Sequence, residues 1–293
     1  MDGVFVVDKP EGWTSHDVVA KVRRIANTSR IGHLGTLDPI ATGVLPLVVG
    51  RATRLAQFYT RSDKIYEGTV RFGWSTGTYD RAGEPTSEQR EVTIDPRELE
   101  ALLEPFRGEF LQTPPPVSAK KVAGKRAYEL ARREMPPELP PVTVHVYELV
   151  ALAIEGPRVR LRAHCSGGTY LRSIAHDLGR RMGCGAHLEE LHRLASGEFE
   201  IAQAHTPAQL ESLARSDRLM DALVPLSEML PGVPNVFVDE LTVTGIRNGR
   251  NFPASPFRSP AAARLVKAVT RHGEVVAIGQ SVLPNLYHPV VVL

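Results

Sequence analysis

Residues 32–43 read Gly-His-Leu-Gly-Thr-Leu-Asp-Pro-Ile-Ala-Thr-Gly. Three glycines, one proline, one histidine and one carboxylate, with no regular apolar period, describe a shaped loop. Proline pushes the residue before it, Asp38, out of the helical region toward extended geometry. Glycine lets the chain turn through positive φ. The loop therefore presents one carboxylate, Asp38, with His33 five residues upstream. Other chemically placed side chains are few. Tyr66 follows Lys64-Ile65 at the start of an alternating stretch, and Tyr170 and Arg172 follow Cys165-Ser166-Gly167-Gly168-Thr169, a strand-to-helix turn. An arginine beside a carboxylate favours its ionised form. One carboxylate, one arginine and aromatic rings suit nucleophilic or general-base work on a nucleic-acid base, with stacking to hold it.

Other chemistries find no support. No His₂ or Cys₂ ligand set accompanies Asp38, which argues against a metal hydrolase. No second carboxylate stands out, so a glycosidase acid/base pair is poorly supported. Neither Gly-x-x-x-x-Gly-Lys-Ser/Thr nor Gly-x-Gly-x-x-Gly occurs, so no nucleotide-cofactor loop is implied. The two cysteines, Cys165 and Cys184, make no metal spacing and no disulfide framework. They suit a reduced, cytoplasmic protein as small buried residues. No apolar run reaches the ~18 residues of a membrane span, and the N-terminus lacks the pattern of a signal peptide.

The 293 residues allow one large domain or a large domain with a small one. Hydrophobic residues make up 42% and charged residues 23%, enough for a sizeable core. Net charge is only +2, but the charges are segregated. Lys120, Lys121, Lys125, Arg126, Arg132 and Arg133 cluster against Glu129 alone; Arg158, Arg160, Arg162, Arg172, Arg180 and Arg181 cluster against Asp177. Acids gather between Glu84 and Glu109. Such segregation suggests a basic face for a polyanion.

The elements that must position these groups follow from the pattern. Gly3 to Asp8 reads as a strand. Thr14 opens a helix with Asp17 completing a capping box. Ile65 to Trp74 alternates with period two. Asp95-Pro96-Arg97-Glu98 starts a second helix. Leu111 to Ser118, with Pro114-Pro115-Pro116, is expected to be irregular. Gly124 to Glu134 reads as a short basic helix between that stretch and a second proline-rich stop at 135–141. Val142 to Ile154 and Val159 to His164 form a strand pair. Thr169 opens a helix with the stripe Tyr170, Ile174, Leu178 and Met182, ended by Gly183 as a left-handed cap. Thr206-Pro207-Ala208-Gln209 starts another helix. Beyond Pro231-Gly232-Val233-Pro234 the expectation is short strands and turns forming a small β-barrel. The whole predicts an α+β fold: a mixed, largely antiparallel sheet flanked by helices, then the C-terminal barrel.

Several strings resemble one enzyme family. They are Val7-Asp8-Lys9-Pro10-Glu11-Gly12-Trp13-Thr14-Ser15-His16-Asp17-Val18-Val19 and Gly32 through Leu45. Lys64-Ile65-Tyr66, Gly77-Thr78-Tyr79-Asp80-Arg81-Ala82-Gly83, Gln112 through Lys121 and Gly124-Lys125-Arg126-Ala127-Tyr128-Glu129 continue the likeness. Cys165 through Ile174 and Gly183-Cys184-Gly185-Ala186-His187-Leu188-Glu189-Glu190-Leu191-His192-Arg193 complete it. Together they resemble the TruB-type bacterial tRNA pseudouridine synthases over about residues 3 to 230. The tail resembles the small PUA RNA-binding module more loosely.

The resemblance implies an isomerase that converts uridine 55 in the TΨC loop of tRNA to pseudouridine without a cofactor or metal. Asp38 would be the catalytic carboxylate, attacking the ribose anomeric carbon or the uracil ring, or promoting loss of the ribose 2′ proton. Arg172 would pair with Asp38 and keep it ionised. Tyr66 would stack on the target base and help remove the ring proton. Tyr170 and Leu191 would complete the pocket wall. His33 would occupy the space a flipped nucleotide leaves, since the reacting bond is hidden in a stacked loop. Residues 1–230 would form the catalytic domain, with 113–142 a mobile basic clamp on RNA, and 231–293 the PUA-like domain. The expected partner is the T-arm of tRNA, with no membrane, for a cytoplasmic monomer. The rival readings are a related synthase acting on another RNA, and an RNA-binding or folding protein whose catalysis is dispensable.

Overall fold

A computed structural model describes residues 1–117, 121–122, 125–126, 139–254 and 263–293. The core is a ten-stranded mixed sheet. Its central strands are β1 (Gly3–Lys9), β2 (Ala41–Val49), β3 (Lys64–Phe72), β4 (Gly108–Gln112), β5 (Val142–Glu155), β6 (Arg158–Cys165) and β7 (Ala186–Ser196). From the short edge strand Leu223–Pro225 the order runs β1, β2, β7, β3, β6, β5, β4. Every neighbour on this path is antiparallel except β2 with β7, which pair in parallel through Leu191 with Ala41 and Arg193 with Gly43. The expected mixed, largely antiparallel sheet is thus observed.

Both faces of β1 are buried, which explains its weak alternation. Phe5 and Val7 face a cluster that includes α1 (Ser15–Ile25), α2 (Pro96–Leu103), α3 (Leu171–Met182) and α4 (Pro207–Arg215). Val4 and Val6 face the opposite cluster. That side is covered by the 3₁₀ stretch Gly50–Tyr59 and by the C-terminal sheet, which supplies Val269, Val275, Ile278, Val291 and Leu293.

Helix starts follow the local chemistry. Thr14 and Asp17 form the reciprocal capping box of α1, Asp95 caps α2 ahead of Pro96, and Thr206 with Gln209 boxes α4. Gly183 ends α3 at φ +76°, the left-handed cap that glycine adopts at no Cβ cost. Tyr170 differs from expectation: it is the extended residue before α3 and is not part of the helical stripe.

The tail pairs β8 (Asn235–Val238), β9 (Leu265–Thr270), β10 (Val275–Leu283) and β11 (Leu286–Val292), with Phe252–Pro253 at the far edge, as a curled half-barrel. It also contains a helix, α5 (Glu240–Arg247), where only strands and turns were expected. Asp239 caps it through the Thr242 amide, so the missed signal was an Asx cap. Two further expectations need correction. Leu111 and Gln112 end β4 and are not irregular. Lys125–Arg126 pairs with Lys121–Val122 as a two-stranded ladder where a helix was expected. Most of the proposed clamp, 118–120, 123–124 and 127–138, lies outside the described residues. Among the described residues no helix is long and apolar enough to cross a membrane.

Candidate active site

The Asp38 loop bridges the short strand Ile31–His33 and β2 and is fixed on both sides of the carboxylate. Ser15 Oγ, at the first turn of α1, accepts from the Leu37 amide at 2.9 Å and lies 3.1 Å from the Leu37 carbonyl it donates to. Beyond Asp38, the Pro39 carbonyl accepts from the Gly12 amide at 2.8 Å and from Lys9 Nζ at 3.4 Å. Lys9 is fully buried and also donates to the carbonyls of Pro10 and Trp13, at 2.9 and 2.6 Å. Burial pushes its amine down to about 8, opposed by the charge of Asp38. Gly43 closes the loop at φ +95°; a Cβ there would lie 2.3 Å from the Arg193 carbonyl oxygen, so only glycine fits beside β7.

Arg193 spans the same loop from β7. Its Nε donates to the Val44 carbonyl at 2.6 Å and an Nη to the Gly35 carbonyl at 3.2 Å. The side chain is 1% exposed, so the two carbonyls of the loop ends satisfy a buried cation.

Arg172 enters from the first turn of α3. Its Nε stands 2.9 Å from Asp38 Oδ2, and an Nη donates to Asp38 Oδ1 at 3.1 Å. Nε makes no hydrogen bond at that distance, so the pair is one hydrogen bond with a second close ion contact, two approaches to one carboxylate that a planar guanidinium presents and an ammonium does not. The guanidinium is also engaged by the carbonyls of Thr78 and Val117, at 3.0 and 2.9 Å, and by Asp80 Oδ2 at 3.3 Å. The expectation that no second carboxylate stands out is therefore corrected: Asp80, 5% exposed, shares Arg172 with Asp38. Asp80 is itself anchored, its Oδ1 accepting from Thr78 Oγ1 at 2.6 Å and the Ala82 amide at 3.0 Å.

One cation facing two carboxylates sets the charge balance. Burial pushes the Asp38 carboxyl above its ordinary 3.8; Arg172 opposes the shift and Asp80 adds to it. About a third of the Asp38 side chain remains open to solvent, so the carboxylate is desolvated by the cavity walls yet reachable through the mouth.

The cavity has a volume of about 240 Å³, and Asp38, Tyr66, Tyr170, Arg172 and Leu191 all line it, with Lys64 and Arg193. That is below the ~300–1,000 Å³ of pockets for drug-sized ligands and suits one small ring. Tyr66 comes from β3, opposite Arg193 across the β3–β7 pairing. Burial pushes its phenol up, and the neighbouring Arg193 charge pulls the other way. Lys64, on the same face of β3, is pushed down to about 8 by burial. Tyr170 is held through its backbone: Gln112 at the end of β4 accepts from its amide at 2.8 Å and donates to its carbonyl at 3.1 Å.

His33 is the one sequence-selected residue that does not line the cavity. It lies on the strand leading into the loop, its Nδ1 accepting from the Gly35 amide at 3.3 Å, with its ring edge-on to His16 at 5.8 Å. Sequence reasoning passed over Asp80, Gln112, Arg193 and Ser15 as functional residues. Asp80 had a usable signal, an acid in a Gly-flanked turn within the matched string. Gln112 and Arg193 act through backbone carbonyls and amides of distant segments, which no local pattern reveals.

Comparison with known proteins fits this geometry. Residues 23–171 match a family model described as TruB family pseudouridylate synthase (N terminal domain), and residues 172–231 match the tRNA pseudouridylate synthase B C-terminal domain. The chain is 73% identical over its full length to tRNA pseudouridine synthase B of Solibacter usitatus, covering all of that protein. It is 39% identical to tRNA pseudouridine synthase B of Dehalococcoides mccartyi, covering 99% of this chain and 95% of that one. Among solved structures, it resembles an H/ACA ribonucleoprotein bound to a substrate RNA containing 2′-deoxyuridine. The TM-score there is 0.74 at 25% identity, over 99% of this chain and 84% of that one. A Cbf5–Nop10–Gar1 complex aligns with a TM-score of 0.73 at 28% identity, over 97% and 79%.

Proposed function

This chain belongs to the TruB family of pseudouridylate synthases, and we propose that it isomerises uridine 55 in the T-arm of tRNA with Asp38 as the catalytic carboxylate. The observation that carries this reading is the clasp itself. Asp38 stands at a one-ring cavity in the fork of Arg172, with the Tyr66 ring as a wall. A base can reach this carboxylate only after leaving the RNA stack, which is the arrangement a base-flipping enzyme needs.

The chain's own residues divide the work. Arg172 orients the carboxylate and offsets the cost of ionising it in a buried place. Asp38 then acts on the anomeric carbon, the ring or the 2′ proton. The uracil, freed from its nitrogen bond, turns and rejoins through carbon, and the displaced ring proton must leave. The Tyr66 phenol is protonated at rest because burial raises it, while Arg193 lies where a phenolate would be stabilised. This pairing suits transient acceptance of that proton. Tyr170 and Leu191 complete the wall, and His33 stands beside the loop to fill the place of the extruded nucleotide.

In this reading residues 1–230 are the catalytic domain and 231–293 a PUA-like RNA-binding domain of a cytoplasmic monomer. The basic segment 113–142 grips phosphates, its charge making the affinity salt-dependent. The test is incubation with tRNA tritiated at uridine C5. Release of one site's tritium at position 55 is expected; release elsewhere overturns the target, and tight tRNA binding with no release overturns the reaction.

A further inference from the structure

Helix α3 grips one turn of chain at two successive points. Arg172 takes the Thr78 carbonyl and the Asp80 carboxylate. Four residues on, His176 lies on the same side of the helix. Its ring stacks on Tyr79, the residue between those two, with centroids 3.7 Å apart and planes 11° apart. Tyr79 has φ +65°, a left-handed conformation that bulky residues rarely adopt. Such strain persists only where the surroundings over-determine it. The turn is tied to β7, because Leu188 donates its amide to the Tyr79 carbonyl and accepts from the Arg81 amide, both at 3.0 Å. The ring stack adds a tie to α3 beside that of Arg172.

Neither ring lines the cavity, so neither touches a bound base. His176 offers Tyr79 its face, and its Nδ1 is buried with no hydrogen-bond partner among the described residues. Burial also pushes the imidazole below its ordinary range, which keeps the ring neutral against Tyr79. The side chain is therefore poorly explained as a hydrogen-bonding group and well explained as a stacking one.

We propose that the Tyr79–His176 stack is a positioning element for the isomerisation, locking turn 78–80 against α3 so that Arg172 stays divided between Asp80 and Asp38. The inference rests on the reading of Asp38 as the catalytic carboxylate. Without the stack, the turn can shift, Asp80 withdraws, and Arg172 realigns on Asp38. Sub-ångström changes of this kind slow chemistry more than they weaken substrate binding, because neither ring lines the cavity that takes the base.

The experiment compares Tyr79→Gly, Tyr79→Phe, His176→Ala, His176→Phe and the double variant Tyr79→Gly/His176→Ala in the full chain. Tyr79→Gly suits the left-handed backbone, so loss of the ring is separated from misfolding, and circular dichroism confirms the fold of each. Single-turnover tritium release from C5-labelled tRNA reads chemistry, and filter binding reads affinity. Tyr79→Gly and His176→Ala should each react ~10-fold slower with affinity near wild type, while both phenylalanine variants react at close to the wild-type rate. The double variant should be no slower than either single one, as for two halves of one contact. Wild-type rates in the glycine and alanine variants, multiplicative slowing in the double, or affinity falling in step with rate would each overturn the proposal. Absence of release from the wild type would instead sink the functional reading beneath it.

Discussion

The Asp38 loop and the C-terminal sheet are both pinned to the same central sheet, by opposite means. The loop is held by directional groups: Ser15 on Leu37, Lys9 on Pro39, Arg193 on Gly35 and Val44, Arg172 on Asp38 itself. The tail is held mostly by an apolar face, with Val269, Val275, Ile278, Val291 and Leu293 packed in one cluster with Val4, Val6, Val44 and Val48. Hydrophobic burial is non-directional and holds a surface in place without fixing an angle. Buried polar networks specify position, and each member left unpaired carries a penalty. The difference teaches where damage should appear: in the rate of chemistry for the loop, in stability for the tail.

The largest effect belongs to Asp38→Asn, which keeps shape and removes the charge. Tritium release should fall by about 10⁴-fold or more, as when a nucleophile is deleted, while tRNA still binds. Stability should move the other way. Burial raises the folded pKa of Asp38 above its ordinary 3.8. The folded state therefore holds the proton more tightly, and the favourable contribution present below pH 3.8 is lost as pH rises through the folded pKa. At neutral pH the ionised carboxylate weakens the fold, and asparagine relieves it. The melting temperature of Asp38→Asn should exceed that of wild type at pH 7, with the gap closing toward pH 4. A variant that is less stable at pH 7 would show that the Arg172 pair outweighs desolvation.

Arg172 comes next, because its loss strands two carboxylates at once. Arg172→Met should cost ~3–5 kcal/mol of stability, the usual consequence of leaving buried charge unpaired. Arg172→Lys retains a point charge but not the fork, so it should fold and turn over ~10²–10³-fold more slowly, comparable to losing one preorganised electrostatic donor. Denaturant titration and single-turnover kinetics separate the two outcomes. Near-wild-type turnover in Arg172→Lys would mean that charge alone suffices and that the directional account of the loop is wrong.

How much of this was legible in the sequence follows the same division. Caps at Thr14, Asp95, Thr206 and Gly183 are local, made within four residues, and they were readable. The α+β class and the curled terminal sheet also followed from periodicity. The carboxylate loop was visible because Gly-Pro chemistry marks it. What stayed hidden depends on contacts across the chain. Asp80 reaches Arg172 over ninety residues, and Arg193 satisfies carbonyls near residue 40. The Tyr79 conformation is set by Leu188 and His176, neither of them a sequence neighbour. Helix α5 was missed for a different reason: an eight-residue helix with Gly245 and two threonines has low propensity and is set by its Asp239 cap and packing.

On the tail side, Ile278 is fully buried in the shared cluster, on β10 between Lys267 of β9 and Val291 of β11. Ile278→Ala should cost ~2–5 kcal/mol through lost burial and a cavity. The folded fraction should still turn over at the wild-type kcat, measured at a temperature well below the lowered melting point. A kcat that falls with stability would show that the tail's packing sets the geometry of the loop, and the contrast between the two regions would collapse.

The smallest effect probes the one buried cation among the tail's described residues. Lys267, 5% exposed, donates to the carbonyls of Met229 at 3.0 Å and Ser227 at 3.3 Å, where the chain passes from the large sheet toward β8. Lys267→Met keeps the stem and removes both donors, leaving two carbonyls without them, at ~1–3 kcal/mol. Burial also lowers this amine below its ordinary 10.5, so the folded state holds its proton less tightly than the unfolded one. Wild-type stability should therefore gain a contribution as pH rises toward 10.5, a slope that methionine cannot show. Thermal melts at pH 7 and 9 check the slope, and kcat at pH 7 should stay at the wild-type value. Were kcat to drop while the melt barely moved, Lys267 would be transmitting position to the active site, and the tail would hold the molecule by directed contacts as the Asp38 loop does.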